Sequence, residues 1–319
     1  MQYLILAGGF ATRLWPLTEK RAKPLLPLAG KPVITHIVEK LPQDANIHVL
    51  TNAAYTESFR QWRLFLPKRD ITIHTEHTRS DDEKLGALGA VAQWITAKTI
   101  LEDLVLLTGD NYYGFAMKDF LQQYEQGVPL LAAYDIGNTE AAKQFGTVLL
   151  KADQKTIAAF EEKPTEPKTT LISTGCSIVP KAYLSELTAF AAEKPDNIGG
   201  LFTHFVEKDI PIHCFRFTEP WFDIGSFSAY LNATKMLVGD TTKIADTALV
   251  SDAECEHTVV VGERTRVRQS ACDNVVIFDN CTIESCVLRD CVIDNNCTLR
   301  GIDLTGKMLR EGTELIAPS

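Results

Sequence analysis

Apolar runs of strand length at Tyr3–Ala7, Ile47–Thr51, Ile71–Thr75 and Leu104–Thr108 alternate with helical stretches at Val33–Leu41, Tyr55–Leu66 and Leu85–Ala97. Strands separated by helices predict βαβ units and a mostly parallel sheet covered on both faces. From Leu130 to Phe217 the strand character rises, with strands expected at Leu130–Tyr134, Thr147–Leu150, Thr156–Phe160, Ser173–Val179 and Ile212–Phe217. Helices are expected at Ala182–Ala192, Leu201–Lys208 and Phe227–Val238.

After about Gly239 the pattern changes. Val261, Val267, Ile277, Ile283, Leu288, Ile293 and Leu299 recur every five or six residues, with one gap of ten. Short units repeat with them: Cys281-Thr282-Ile283, Cys286-Val287-Leu288, Cys291-Val292-Ile293 and Cys297-Thr298-Leu299. A strand meander would alternate with period two. A hexad-like period reads instead as a parallel β-helix, whose coils stack small and aliphatic residues inward. Some 60 residues of this kind make about three coils, a short β-helix that needs a cap or a partner. The predicted fold class is therefore α/β: a Rossmann-like, mostly parallel sheet domain over residues 1–239, then a β-helix and C-terminal tail over 240–319.

Composition narrows the function classes. The chain has 319 residues, 45% hydrophobic and 23% charged, ordinary globular usage for about two domains. No apolar run approaches the ~20 residues of a membrane helix. The start, Met1-Gln2-Tyr3-Leu4-Ile5-Leu6, has no basic region and too short an apolar run for a signal peptide, which points to a cytoplasmic protein. The net charge of −9, from 41 acidic and 32 basic residues, argues against nucleic acid as a partner. Locally the balance reverses: Arg13, Lys20, Arg21, Lys23 and Lys31 face one acid, Glu19. A basic pocket on an acidic protein suggests a small anionic ligand. Pro16, Pro24, Pro27 and Pro32 break up any helix there.

Six of the eight cysteines lie after residue 254, with no CxxC pair. Their spacing does not suit zinc, and they read as buried free thiols placed by the repeat. His36, His48, His74, His77, His204, His213 and His257 show no pairing at metal spacing and read as structural or exposed.

The segment with the most chemistry is Leu6-Ala7-Gly8-Gly9-Phe10-Ala11-Thr12-Arg13-Leu14-Trp15-Pro16-Leu17-Thr18, followed by Lys23-Pro24-Leu25-Leu26-Pro27. A strand runs into two glycines whose amides can approach a phosphate, and Arg13 adds a forked cation. Neither GxGxxG nor GK[ST] is present, so dinucleotide and P-loop readings fail on spacing. This run resembles the signature of the sugar-1-phosphate nucleotidyltransferases, the NDP-sugar pyrophosphorylases. Thr108-Gly109-Asp110-Asn111, Phe160-Glu161-Glu162-Lys163-Pro164 and Trp221-Phe222-Asp223-Ile224-Gly225 resemble further motifs of that family, in family order. The resemblance covers nearly the whole chain, since many members carry a C-terminal left-handed β-helix. It is nearest to the glucose-1-phosphate thymidylyltransferase-like branch.

The resemblance implies transfer of a nucleotidyl group from an NTP to a sugar-1-phosphate, with pyrophosphate released and dTTP or UTP with glucose-1-phosphate as the first guess. It implies Mg²⁺ held by Asp110 and Asp223, and Arg13, Lys23 and Lys163 as catalytic cations. Nucleotide contacts fall on Leu6, Gly8, Gly9, Thr12, Arg13, Lys23 and Gly86. Sugar-phosphate contacts fall on Asn111, Gly146, Glu162, Lys163 and Gly175. A homo-oligomer is expected, with no membrane partner.

Each motif also has a plainer reading. Asp110 serves equally as a turn former, and Asp223 as a turn acid before a helix capped by Ser226. Glu162-Lys163 is the kind of charge cluster found on many surfaces. One departure leaves the base open: where relatives carry a Gly-Thr-Ala-Gly-type run, this chain reads Glu83-Lys84-Leu85-Gly86-Ala87-Leu88-Gly89. Lys23 is followed by Pro24, where many thymidylyltransferases have Gln. Two alternatives remain, a catalytically silent scaffolding relative and a bifunctional enzyme whose β-helix is an acyltransferase with His257 as base.

Overall fold

The computed structural model describes residues 1–9, 12–76, 78 and 85–318, Thr12 by its backbone alone. His77, Glu83 and Lys84, and the Phe10-Ala11 pair of the glycine loop, lie outside the described residues. The chain folds into two compact units, Met1–Gly9 with His36–Trp221, and Phe10–Thr35 with Phe222–Ser319.

The first unit is built on a nine-stranded sheet. Its strands are β1 (Gln2–Leu6), β2 (Ile47–Asn52), β3 (Ile71–Glu76), β4 (Leu104–Thr108), β5 (Leu130–Asp135), β6 (Gly146–Leu150), β7 (Ile157–Glu162), β8 (Leu171–Val179) and β9 (His213–Phe217). They run in the order β7-β6-β8-β4-β1-β2-β3, with β5 joining β8 to β9. The block β4-β1-β2-β3 is parallel, with Leu6 level with Thr108 and Leu50. β8 runs antiparallel to β4, β5 and β6. Leu104 to Leu107 are all buried, as a strand covered on both faces requires.

Helices α1 (Thr56–Arg63), α2 (Ala87–Lys98), α3 (Leu184–Glu193) and α4 (Ile198–Glu207) belong to this unit. Leu88, Val91 and Trp94 of α2 join Leu4, Leu106, Leu187 and Phe205 in its core. α4 starts where Asn197 accepts a hydrogen bond from the Gly200 amide at 2.7 Å.

The second unit joins a short N-terminal segment to helix α5 (Phe227–Val238) and the β-helix. Prolines hold the segment to two single turns of tight helix, Thr12–Leu14 and Lys23–Leu25. α5 begins where Ser226 accepts from the Ala229 amide at 3.2 Å and ends at Gly239. The β-helix follows, from Thr242, in sheets of six and five strands, all parallel. One coil takes 16 residues: the Cys281 amide bonds the Thr265 hydroxyl one coil back.

The five-stranded face, Leu249–Ser251 to Glu314–Ile316, shows more than the three coils expected from the repeat. The end coils pack Ala248, Val250, Leu304, Leu309 and Leu315 without the regular Cys-aliphatic ladder, so they are missing from the periodicity. Cys272, Cys281, Cys286, Cys291 and Cys297 line the interior as buried free thiols. Corners recur as residues with positive φ: Arg264, Asn280, Asn296 and Gly312 on one edge, His257, Asn274, Asp290 and Gly306 on another. Asn, Asp and Gly tolerate that backbone best, which accounts for their frequency between the apolar positions. Among the described residues no helix is long and apolar enough to cross a membrane.

Candidate active site

In the first unit the candidate residues gather at one edge of the sheet, where the parallel strands end. Ligands bind beyond such carboxyl ends in open α/β sheets. The Gly109 amide donates to the Leu6 carbonyl at 2.8 Å, which joins the turn before Asp110 to the end of β1. Asn52 Nδ2 donates to the Gly8 carbonyl at 2.8 Å and so fixes the start of the glycine loop. Among the described residues, a Cβ on Gly9 would meet nothing within 4 Å, and one on Gly8 nothing closer than 3.9 Å.

Asn111 Nδ2 donates to Asp110 Oδ1 and to Thr108 Oγ1, both at 2.9 Å. Its amide oxygen, Oδ1, is buried and accepts no hydrogen bond among the described residues. A buried acceptor without a donor is costly unless a ligand supplies one. Tyr113 OH lies 3.0 Å from Thr108 Oγ1 and 3.2 Å from the Thr174 carbonyl. Gly175 has φ +75°, and a Cβ there would lie 2.4 Å from Thr108 Oγ1. Thr108, Asp110, Asn111, Tyr113 and Gly175 thus form one packed cluster.

Three strands across the same sheet, Glu162 ends β7 opposite Gly146 of β6. A Cβ on Gly146 would lie 2.8 Å from Glu162 Oε2, and one on Gly199 only 1.8 Å from it. The carboxylate occupies room that two glycines leave. Burial raises the Glu162 pKa, opposed by the neighbouring Lys163 charge. Lys163 Nζ is 3.9 Å from Glu162 Oε1 and mostly exposed. Its backbone, at φ +46°, is held in that rare region by its amide's 3.1 Å bond to the Phe145 carbonyl. A side chain larger than glycine in this conformation carries strain of the sort found at ligand sites.

In the second unit Lys23 Nζ donates to Asp223 Oδ1 at 3.1 Å. Lys23 is only 11% exposed, whereas Arg13 is exposed. A Cβ on Gly225 would come 3.2 Å from Asp223 Oδ2.

The sequence pattern of this chain matches the family model described as "Nucleotidyl transferase" over residues 2–238. The chain belongs to the nucleotidyl transferase family. Residues 232–308 match the model "GlmU-like, C-terminal hexapeptide", in keeping with a left-handed β-helix of hexapeptide repeats. Among curated relatives, the chain is 27% identical over 243 residues to "Bifunctional protein GlmU" of Methanocaldococcus jannaschii, covering 75% of this chain and 54% of that protein. It is 27% identical over 242 residues to the mannose-1-phosphate guanylyltransferase catalytic subunit beta of Danio rerio, covering 74% and 64%. The chain therefore spans about half the length of the first of these relatives. A Bacillus anthracis protein assigned as a glucose-1-phosphate thymidylyltransferase, solved with sucrose, shares the fold at TM-score 0.63 and 22% identity, over 74% of this chain and 94% of that one.

Sequence reasoning missed Gly199, whose Asn-Ile-Gly-Gly context reads as a turn. It also missed Glu76, buried at the end of β3, whose Oε1 accepts from the Leu85 amide at 2.8 Å and from Thr78. Gly86 has its own structural reason: a Cβ there would lie 2.5 Å from the Pro195 carbonyl. Pro195 also accepts from the Leu88 and Gly89 amides at 2.8 and 2.9 Å, which caps α2.

Proposed function

We propose that the chain is a sugar-1-phosphate nucleotidylyltransferase: an NTP and a sugar-1-phosphate give an NDP-sugar and pyrophosphate. The observation that carries this reading is the buried Asn111 Oδ1 beside Asp110, which has no donor among the described residues, at the same sheet edge as the glycine-cradled Glu162 and Lys163. Such an edge offers a donor-seeking oxygen, a carboxylate and a cation to one polar, phosphorylated ligand. Residues 1–239 carry the transfer chemistry in this reading, and 240–319 the β-helix.

In the step itself a sugar-phosphate oxygen attacks the α-phosphorus in line, and the bond from that phosphorus to the bridging oxygen of the leaving pyrophosphate breaks. The nucleophile is already an anion, so no side chain has to remove a proton; positioning and charge neutralisation suffice. We assign the loop of Leu6, Gly8, Gly9 and Thr12, with Arg13, Lys23 and Gly86, to the nucleotide. Asn111, Gly146, Glu162, Lys163 and Gly175 are assigned to the sugar phosphate. Asp110 and Asp223 offer the hard oxygen donors that suit Mg²⁺, which when bound neutralises phosphate charge. Asp223 is already paired with Lys23, so Lys23 would balance that carboxylate or turn to the nucleotide.

Release of pyrophosphate with dTTP, UTP, GTP, CTP or ATP against a set of sugar-1-phosphates tests the reading and selects the substrates. Turnover should fall roughly a hundredfold or more in Asp110→Asn and Asp223→Asn, with the fold retained. Lys163→Ala should weaken sugar-phosphate binding by roughly ten- to hundredfold and leave NTP binding in place. No pyrophosphate with any pair, or full activity in Asp110→Asn, overturns the assignment.

A second reading adds an acyltransferase on the β-helix, favoured by the His257 Nδ1–Asp273 pair at 2.7 Å and the GlmU-like match. The Asp273 hydrogen bond and charge raise the His257 pKa. Binding of acetyl-CoA, measured directly, decides it.

A further inference from the structure

Two buried positions on one corner column of the β-helix, Phe278 and Asp294, stand apart from its Cys-aliphatic core. Phe278 and Asp294 stand one coil apart, the Phe278 amide bonding the Ile293 carbonyl and the Asp294 amide the Leu309 carbonyl. The Asp294 side chain is 5% exposed. A carboxylate this deep is costly without a charged partner. Its partner comes from 273 residues away: Arg21 Nη1 donates to Asp294 Oδ1 at 3.1 Å. The same guanidinium lies over the Phe278 ring, 5.4 Å from its centroid. Burial raises the Asp294 pKa while the Arg21 charge opposes that rise.

Arg21 stands two residues before Lys23. Further along, Tyr230 OH of α5 donates to the Pro27 carbonyl, and Lys243 Nζ at the start of the β-helix donates to the Ala29 carbonyl at 2.8 Å. The basic, proline-stiffened segment is therefore fastened on both sides of Lys23 by residues that follow it by some two hundred positions or more. Lys20 and Glu311, 3.8 Å apart and more exposed, add little.

We infer that the β-helix is the platform that sets the position of the Lys23 segment, with Arg21, Phe278 and Asp294 as positioning residues for use of the nucleotide. This rests on the nucleotidylyltransferase reading above. The three residues need not touch substrate. They fix where Lys23 stands, and misplacement by about an ångström costs roughly a hundredfold in a reaction that depends on alignment.

Steady-state kinetics of Asp294→Asn, Phe278→Leu and Arg21→Lys, with thermal unfolding of each, test the inference. Asp294→Asn and Phe278→Leu should raise KM for the NTP by roughly tenfold or lower kcat, and leave KM for the sugar-1-phosphate within about twofold. Arg21→Lys keeps the charge but not the planar fork over the ring, and should fall between these and the wild type. If Asp294→Asn does not fold, the other two variants carry the same NTP-selective expectation. Equal changes in both KM values, or kinetics unchanged from wild type, overturn the platform. A wild-type protein that releases no pyrophosphate overturns the function itself, a different failure from an active wild type with indifferent variants.

Discussion

A Cβ on Gly199 would lie 1.8 Å from Oε2 and 2.5 Å from Cδ of Glu162, while one on Gly146 would strike the Phe160 ring at 2.3 Å as well as the same carboxylate. The two glycines therefore predict different outcomes. In Gly199→Ala the colliding atoms are the end of a flexible side chain, which can swing away. Gly199 also lies in the first turn of α4, where alanine is the better helix former by about 1 kcal/mol. Stability should stay within about 1 kcal/mol of wild type, and KM for the sugar-1-phosphate should rise roughly tenfold, because Glu162 has lost its place. In Gly146→Ala the buried aromatic ring must move too, so the melting temperature should also fall. A Gly199→Ala protein with wild-type kinetics would separate Glu162 from substrate binding. Gly146 was singled out only through the family resemblance and Gly199 not at all, since what demands each is a side chain from another element.

The element scale shows the same division between local and distant causes. β4 was readable to the residue because Leu104-Val105-Leu106-Leu107 is apolar throughout, and α5 because Ser226 caps it locally. The pairing of β2 with β3 carries something periodicity does not show. His48 Nε2 lies 2.8 Å from Gln2 Oε1, an acceptor, so that nitrogen holds the proton. His48 Nδ1 then accepts from His74 Nε2 at 2.9 Å. Both rings pack on Trp94. Burial lowers both pKa values, that of His74 to about 4, with His48 and Lys98 repelling a further charge. Histidine in the unfolded chain titrates near 6.5. Between these values the unfolded chain binds more protons, so stability is full above about 6.5 and is lost as pH falls toward about 4. Thermal unfolding across pH 7.5 to 5 should show this decline. His74→Gln, whose amide can still donate to His48 Nδ1, should flatten it. An unchanged slope in that variant would place the acid sensitivity elsewhere.

At the scale of the whole molecule, chain order and spatial order diverge. The β-helix was legible from its ladder of Cys and aliphatic residues, but its partnership with Phe10–Thr35 was not. The contacts that make it, Arg21 on Phe278 and Asp294, are isolated side chains separated by hundreds of residues, and no local pattern signals them. Cutting the chain after Gly239 should therefore damage the region near its start. Ala22 is 1% exposed and the Arg21 side chain is 19% exposed in the intact protein. Their bond should resist trypsin there, since cleavage requires a local opening and that costs free energy. In a protein ending at Gly239 the guanidinium loses both its carboxylate and its ring, and the Ala29 carbonyl loses Lys243. Tyr230 and Asp223 remain, so the segment keeps its bonds at Pro27 and Lys23 but not at Arg21. Limited trypsin digestion read by mass spectrometry should show early cleavage after Arg21 in the shortened protein and late cleavage there in the full chain. Equal resistance in both would mean that the segment holds its conformation without the β-helix. Early cleavage after Arg21 in full-length Asp294→Asn as well would narrow the cause from the loss of a whole domain to the loss of one carboxylate charge.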